Sequence, residues 1–174
     1  MNLLSQNLRF YQVIEPDADA FLTGVGIHSR VVDMRKFGHC TFILMMGTNA
    51  ATAFTVTVEA VDVVALTNDH EVPFWYSYGT TLVHGNTMAA VTKVAVPATG
   101  LPVLAANADT VHIIDVDAED CRQVMVAAGH EFIGVRIALH ETAGAAAVDG
   151  ACLAVLSQPR YMDDANGMPA ALLA

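Results

Sequence analysis

Phe54-Thr55-Val56-Thr57-Val58-Glu59-Ala60 alternates apolar and polar side chains without a break. Successive side chains of a β-strand point to opposite faces, so this alternation places every apolar member on the same face. The threonines and the glutamate then occupy the other face. The pattern predicts a strand that packs one side against a hydrophobic core.

The same pattern predicts strands along most of the chain. The further candidates are residues 26–32, 41–46, 72–78, 91–96, 111–117, 132–140 and 151–157. Residues 41–46 are apolar on both faces, which favours a central strand or a strand beneath a subunit contact. About eight short strands separated by Gly, Pro, Asn and Asp indicate an all-β fold, either a β-sandwich or a jelly roll.

The chain divides into one β-domain and two terminal segments. Residues 20–158 contain the strand patterns, whereas residues 1–19 and 159–174 lack sustained alternation and are predicted to be extended N- and C-terminal arms. Such arms either fray at the ends of a domain or lie across a neighbouring subunit. Residues 33–37 and 117–122 each favour a single helical turn, the second with Asp117 as its N-cap.

The composition is unusually apolar for a domain with no membrane-spanning stretch. Of 174 residues, 54% are hydrophobic and 15% are charged, whereas about 25% is the usual charged share. The net charge of −10 argues against binding to nucleic acid or to an anionic membrane, which requires clustered Lys and Arg. No apolar run approaches the length of a membrane helix, and the first residues lack the pattern of a secretion signal. We therefore expect neighbouring protein subunits to cover the surplus apolar surface.

Residues that perform catalysis or bind metals are not grouped in this sequence. The seven histidines are scattered singly, without the spacing of His-x-His or His-Glu-x-x-His metal sites. Residues 115–120 form an acidic cluster, but an EF-hand loop starting at Asp115 requires Gly where Asp120 stands and Glu where Val126 stands. The four serines lie outside any Gly-x-Ser-x-Gly elbow. We predict no catalytic residue, no metal site and no cofactor.

The cysteines and the aromatic residues each allow two interpretations. The three cysteines lack Cys-x-x-Cys spacing and cannot all pair within one chain, so we expect buried reduced thiols, with intersubunit disulfides as the alternative. The run Phe74-Trp75-Tyr76-Ser77-Tyr78 places the only tryptophan on the face opposite the other aromatic residues. Trp75 is therefore expected to anchor an interface or to provide a stacking platform for a sugar.

Several segments, taken in order, resemble a known class of protein. They are residues 31–34, 42–44, 54–60, 111–120, 132–137 and 154–161, the last ending in Pro159-Arg160-Tyr161 after an apolar strand. Together they are similar to the capsid decoration, or cement, proteins that tailed bacteriophages encode beside their major capsid protein. The resemblance covers roughly residues 25–162, and Pro-Arg-Tyr is its most specific motif.

The resemblance implies a structural virion protein without enzymatic activity. Such a protein is expected to be a homotrimer on the capsid surface, assembled in the host cytoplasm, with the major capsid protein as its partner. The residues predicted to contact the capsid or a neighbouring subunit are Arg9, Phe10, Tyr11, Trp75, Arg160 and Tyr161; the alternative for each is packing within its own subunit. Alternative functions are a virion-surface module that binds host glycans and a tail or connector accessory protein, with a metal-dependent jelly-roll enzyme as the remaining alternative.

Overall fold

A computed structural model describes residues 8–17, 27–49, 54–62, 68–79, 92–94, 100–103, 111–141 and 148–159. The strands within these ranges are β1 (Arg9–Asp17), β2 (Ile27–His28), β3 (Val32–Asp33), β4 (Phe37–Asn49), β5 (Phe54–Val61), β6 (Asp69–Glu71), β7 (Phe74–Gly79), β8 (Thr92–Val94), β9 (Leu101–Val103), β10 (Val111–Asp117), β11 (Gly134–Glu141) and β12 (Val148–Pro159). The same ranges contain one helix, α1 (Ala118–Ala127).

The strands form two antiparallel sheets, which confirms the all-β prediction. Sheet A has the order β1-β12-β4-β10-β7-β8. Sheet B has the order β2-β11-β5-β6, with β3 also paired to β11 and β9 also paired to β5. The strand predicted to be central from its two apolar faces is β4, which lies between β12 and β10.

The inward faces of both sheets contribute to one hydrophobic core. Phe42 of β4 and Ile114 of β10 come from sheet A, while Val58 of β5 and Ile137 of β11 come from sheet B, and all four are fully buried. The alternation in β5 has the predicted inward face, since Val56, Val58 and Ala60 belong to the hydrophobic core. Because apolar burial is the main favourable term in folding, this shared core is what holds the two sheets together.

The helix is longer than the single turn expected for residues 117–122. Its N-cap is Asp117, as predicted, and the Asp117 side chain accepts a hydrogen bond of 2.8 Å from the backbone N–H of Glu119. Cys121 and Met125 lie one helical turn apart on the same face, and both are buried in the core. This tertiary contact extends α1 to Ala127, although the acidic first turn was the only local helix signal.

Residues 33–37 form a tight turn instead of the predicted helical turn. The Asp33 side chain accepts a hydrogen bond of 2.9 Å from the backbone N–H of Arg35, and Phe37 N–H donates to the Met34 carbonyl at 3.2 Å. Phe37 is buried and is the first residue of β4, so the turn leads directly into this strand.

The N-terminal segment, residues 1–19, was predicted to be an arm, but its residues Arg9–Asp17 form β1. This strand pairs antiparallel with β12 of the same chain, from Arg9 opposite Leu156 to Asp17 opposite Gly150. Residues 9–17 are therefore part of sheet A. Of the predicted C-terminal arm, residues 159–174, Pro159 is the last residue of β12. The residues after Pro159 lie outside the described residues. Within the described ranges, no helix has the length and hydropathy needed to cross a membrane.

Candidate functional site

The outer face of sheet A, the face turned away from the core, brings together residues from five strands in one row. Phe10 of β1 lies opposite Val155 of β12, which lies opposite Thr41 of β4. Thr41 lies opposite Asp115 of β10, which in turn lies opposite Trp75 of β7. Directly opposed residues share a face of an antiparallel sheet, so these five side chains, called here the Phe10–Trp75 row, line one surface.

Large aromatic side chains are exposed at both ends of this row. Phe10 is 50% exposed and Trp75 is 42% exposed. Four strand spacings separate them, which is about 19 Å at the usual inter-strand distance. Exposed aromatic residues are enriched among the anchors of protein interfaces.

The row on one side of the Phe10–Trp75 row is apolar at its centre, whereas the row on the other side holds Ser157, His39 and Asp117. Leu153, Ile43 and Ile113 lie opposite one another on β12, β4 and β10, and all three are partly exposed. Met45, 36% exposed, lies in the next row. The middle of the outer face of sheet A therefore carries a group of partly exposed apolar side chains, and exposed apolar groups of this kind can mark interaction sites.

A small polar cluster interrupts this apolar surface at Asp115. The Asp115 Oδ1 atom accepts hydrogen bonds from His39 Nε2 at 3.1 Å and from Thr41 Oγ1 at 2.6 Å. The bond from His39 is the main cause that lowers the pKa of Asp115; the Thr41 bond adds to it, and partial burial opposes it. Asp115 is thus held as an anion beside the apolar Leu153–Ile43–Ile113 row.

The six predicted interface residues do not all lie together. Phe10 and Trp75 share the row, whereas Arg9 and Tyr11 alternate with Phe10 and lie on the other side of β1, where Tyr11 packs against the core. Arg160 and Tyr161 lie outside the described residues. Ile43 and Met45 are not among the six predicted interface residues, although the two apolar faces of residues 41–46 favour a strand beneath a subunit contact as one of two interpretations.

The outer face of sheet B is built differently, around a buried ion-pair cluster. Arg136 of β11 donates from Nε to Glu59 Oε2 at 2.5 Å and from Nη2 to Asp69 Oδ2 at 2.6 Å. His28 Nδ1 lies 3.4 Å from the same Glu59 oxygen. Arg136 is only 4% exposed and Glu59 only 7% exposed, although side-chain alternation predicts that Glu59 lies on the polar face of its strand.

A pair of histidines, His70 and His130, lies near the end of β5. The His70 and His130 rings are stacked with their centroids 5.5 Å apart. Asp62 Oδ2 accepts a hydrogen bond of 2.7 Å from Asn68 and lies 3.6 Å from His130 Nδ1. Across the described ranges, no three His, Cys, Asp or Glu side chains converge in a way that could hold a metal ion.

The three cysteines are free thiols, and all are buried. Burial raises the pKa of the Cys40, Cys121 and Cys152 thiols, mainly because the thiolate would lose its hydration. This agrees with the expectation of buried reduced thiols. A disulfide to another subunit would require one of these side chains to leave the core.

Comparison with known proteins does not assign a family. No protein-family model matches this chain, and no curated protein sequence matches it.

Proposed function

We propose that this protein is a structural virion protein that binds the outside of a phage capsid and stabilises the shell. Its partner is the major capsid protein, and it acts as a homotrimer without catalysis. The apolar composition, the low charged share and the resemblance in residues 25–162 support this proposal. The proposal includes a jelly-roll-like arrangement of the two sheets and a location on the virion surface.

The observation that carries the proposal is the outer face of sheet A, with Phe10 and Trp75 exposed on one row. Interface energies are concentrated in a few aromatic and Arg anchors surrounded by apolar contacts that exclude water. The row supplies two such anchors, and Leu153, Ile43 and Ile113 supply the surrounding surface. A modest contact per copy is sufficient, since many copies bound around a closed shell act together.

The test compares phage particles carrying wild-type protein with particles carrying the double variant Phe10→Ser/Trp75→Ser. We expect occupancy of the capsid to fall at least about tenfold, because losing two anchors removes more than 1.4 kcal/mol of binding free energy, roughly the equivalent of tenfold. Particles lacking the protein should release DNA at a lower temperature. Val126→Ser is the matched control, since Val126 is 65% exposed but lies on α1.

Two results would contradict the proposal: unchanged heat resistance of particles without the protein, or an equal loss of occupancy with Val126→Ser. The glycan-binding alternative is favoured by one observation, the position of Trp75 directly opposite the Asp115 carboxylate. That alternative predicts that Trp75→Ser particles keep full occupancy but lose attachment to host cells.

A further inference from the structure

The outer face of sheet A places a partly exposed carboxylate beside an apolar row. Asp115 lies between the apolar Leu153–Ile43–Ile113 row and the polar Ser157–His39–Asp117 row, and 30% of its side chain is exposed. A carboxylate that is partly removed from water is costly to bury further unless donors or cations satisfy both of its oxygens. A partner that covers this face therefore gains most by bringing a charged donor to Asp115.

The hydrogen bonds of Asp115 leave one oxygen for such a partner. Both the His39 and the Thr41 bonds reach Oδ1. Among the residues that the structure describes, no hydrogen bond reaches Oδ2. The two bonds to Oδ1 orient the carboxylate, so a partner group meets a positioned acceptor and loses little additional freedom there.

Trp75 specifies which cation fits. As the directly opposed residue on β7, its Cβ atom lies about 5 Å from that of Asp115. A guanidinium is planar and can stack on an indole ring while it donates to a carboxylate, whereas an ammonium forms only a point contact. The pair therefore offers a stacking surface and an acceptor at the same place.

We propose that the outer face of sheet A binds an arginine side chain of its protein partner between the Trp75 ring and the Asp115 carboxylate. This inference rests on the proposed function and names the partner chemistry at the same surface. The charged or titratable groups around Asp115 are His39, which donates to it, Asp117 on the same face of β10, and Lys93, opposite Trp75 in register on β8. Asp117 adds negative charge to the site.

A second copy of this chain does not fit the same surface. Lys93 lies opposite Trp75 in register on β8 and so belongs to this face, which means that a second copy would offer a lysine and not an arginine. An ammonium makes only a point contact with a carboxylate, whereas a guanidinium can also stack on the indole ring. The proposed homotrimer uses a different surface.

The experiment uses the full chain and N-acetyl-arginine methylamide as the probe, followed by the fluorescence of Trp75, the only tryptophan. N-acetyl-citrulline methylamide, which has a similar shape but no charge, and N-acetyl-lysine methylamide are the comparison probes. We expect a saturable fluorescence change with the arginine probe and affinities at least about fivefold weaker for the other two. Raising NaCl from about 20 to about 500 mM should weaken only the two charged probes.

Two variants with the same charge change separate the site from the overall charge. Asp115→Asn should weaken binding of the arginine probe about fivefold or more, and Glu119→Gln, on α1, should leave it unchanged. Lys93→Gln should leave binding unchanged or strengthen it. Equal binding of the citrulline probe, equal losses in Asp115→Asn and Glu119→Gln, or a loss in Lys93→Gln would overturn the proposal. Equal binding of the lysine probe would overturn the arginine assignment.

Capsid binding distinguishes a failure of this inference from a failure of the proposed function. If wild-type and Asp115→Asn proteins bind particles equally and the arginine probe does not bind, the arginine site is wrong and the capsid function stands. If the protein does not bind particles but the arginine probe binds through Asp115, the site stands and the capsid function is wrong. Self-association that Trp75→Ser abolishes would show that a second copy is the partner, and would also overturn the arginine site.

Discussion

The outer faces of sheets A and B differ in whether the side chains that point away from the core are exposed or buried. Sheet A exposes Phe10 and Trp75 on an apolar surface, whereas sheet B buries Arg136 and Glu59 in an ion-pair cluster. The usual rule, with polar residues outside and exposed, holds for neither face. Sheet B satisfies its outward groups within the chain, so it contributes to the stability of the monomer. Sheet A leaves apolar side chains in contact with water, where they contribute little to the stability of the monomer.

The largest expected effect breaks the cluster on sheet B. Glu59→Gln removes the charge that pairs with Arg136, and the buried guanidinium then keeps only the partly exposed Asp69. We expect a loss of about 3–5 kcal/mol in the free energy of unfolding, measured by urea denaturation. Glu119→Gln, which breaks an exposed pair with Arg122, is the control and should cost less than about 1 kcal/mol. Equal losses in the two variants would show that the buried cluster stabilises the fold no more than an exposed ion pair does.

The second prediction concerns the inward side of β10 in sheet A, where His112 is 2% exposed. Burial lowers the pKa of His112 to about 4, from an ordinary value of 6.5. The unfolded chain therefore binds more protons between pH 6.5 and 4, so stability is full above this range and falls as the pH decreases through it. The loss from this group is roughly 3 kcal/mol.

Urea denaturation between pH 4 and 7 measures this dependence. His112→Leu should flatten the part of the pH profile that His112 causes, while His130→Gln, at a half-exposed position, should leave it in place. The same slope in wild type and His112→Leu would contradict the assignment.

The third prediction tests how closely sheet B is covered. Gly100 has a φ of +61°, and a Cβ atom there would lie 2.5 Å from Thr55 Cγ2 and 2.7 Å from Thr57 Cγ2. Gly100→Ala should therefore cost about 2 kcal/mol or more, from backbone strain and overpacking together. Gly129→Ala is the matched control, since its φ is +82° but nothing lies within 4 Å, and it should cost only the strain, about 1 kcal/mol. Thermal unfolding of the two variants measures the difference; equal losses would mean that the outer face of sheet B has room.

The smallest expected effect on stability belongs to the outer face of sheet A. Trp75→Ser should lower the free energy of unfolding of the isolated protein by only about 1–2 kcal/mol, because 42% of the residue is already exposed to water. Phe42→Ala, on the inward face of the same sheet, should cost about 3–5 kcal/mol in the same urea experiment. A loss in Trp75→Ser comparable to that in Phe42→Ala would mean that Trp75 stabilises the monomer. It would contradict the proposed role of Trp75 as an interface anchor.

Much of the fold could be predicted because strand signals are local. Residues 54–60 alternate within seven positions, and the two apolar faces of residues 41–46 indicated a central strand. The candidate site was predictable only in part. Trp75 and Phe10 were selected one by one as aromatic residues without a local explanation, and nothing in the sequence placed them on one row. The helix length was missed for the same reason, since Met125 stabilises the last turn of α1 by packing in the core.

The sequence by itself determined the β class, the inward face of each main strand and the surplus of apolar residues. These properties follow from side-chain alternation and composition, which need no knowledge of neighbouring strands. Only the tertiary structure decided that Phe10, Asp115 and Trp75 share one face, and that Arg136 finds Glu59 and Asp69. The physical reason is that strand order and register are set by packing between distant segments, so the neighbours of an outward residue are not encoded beside it in the chain.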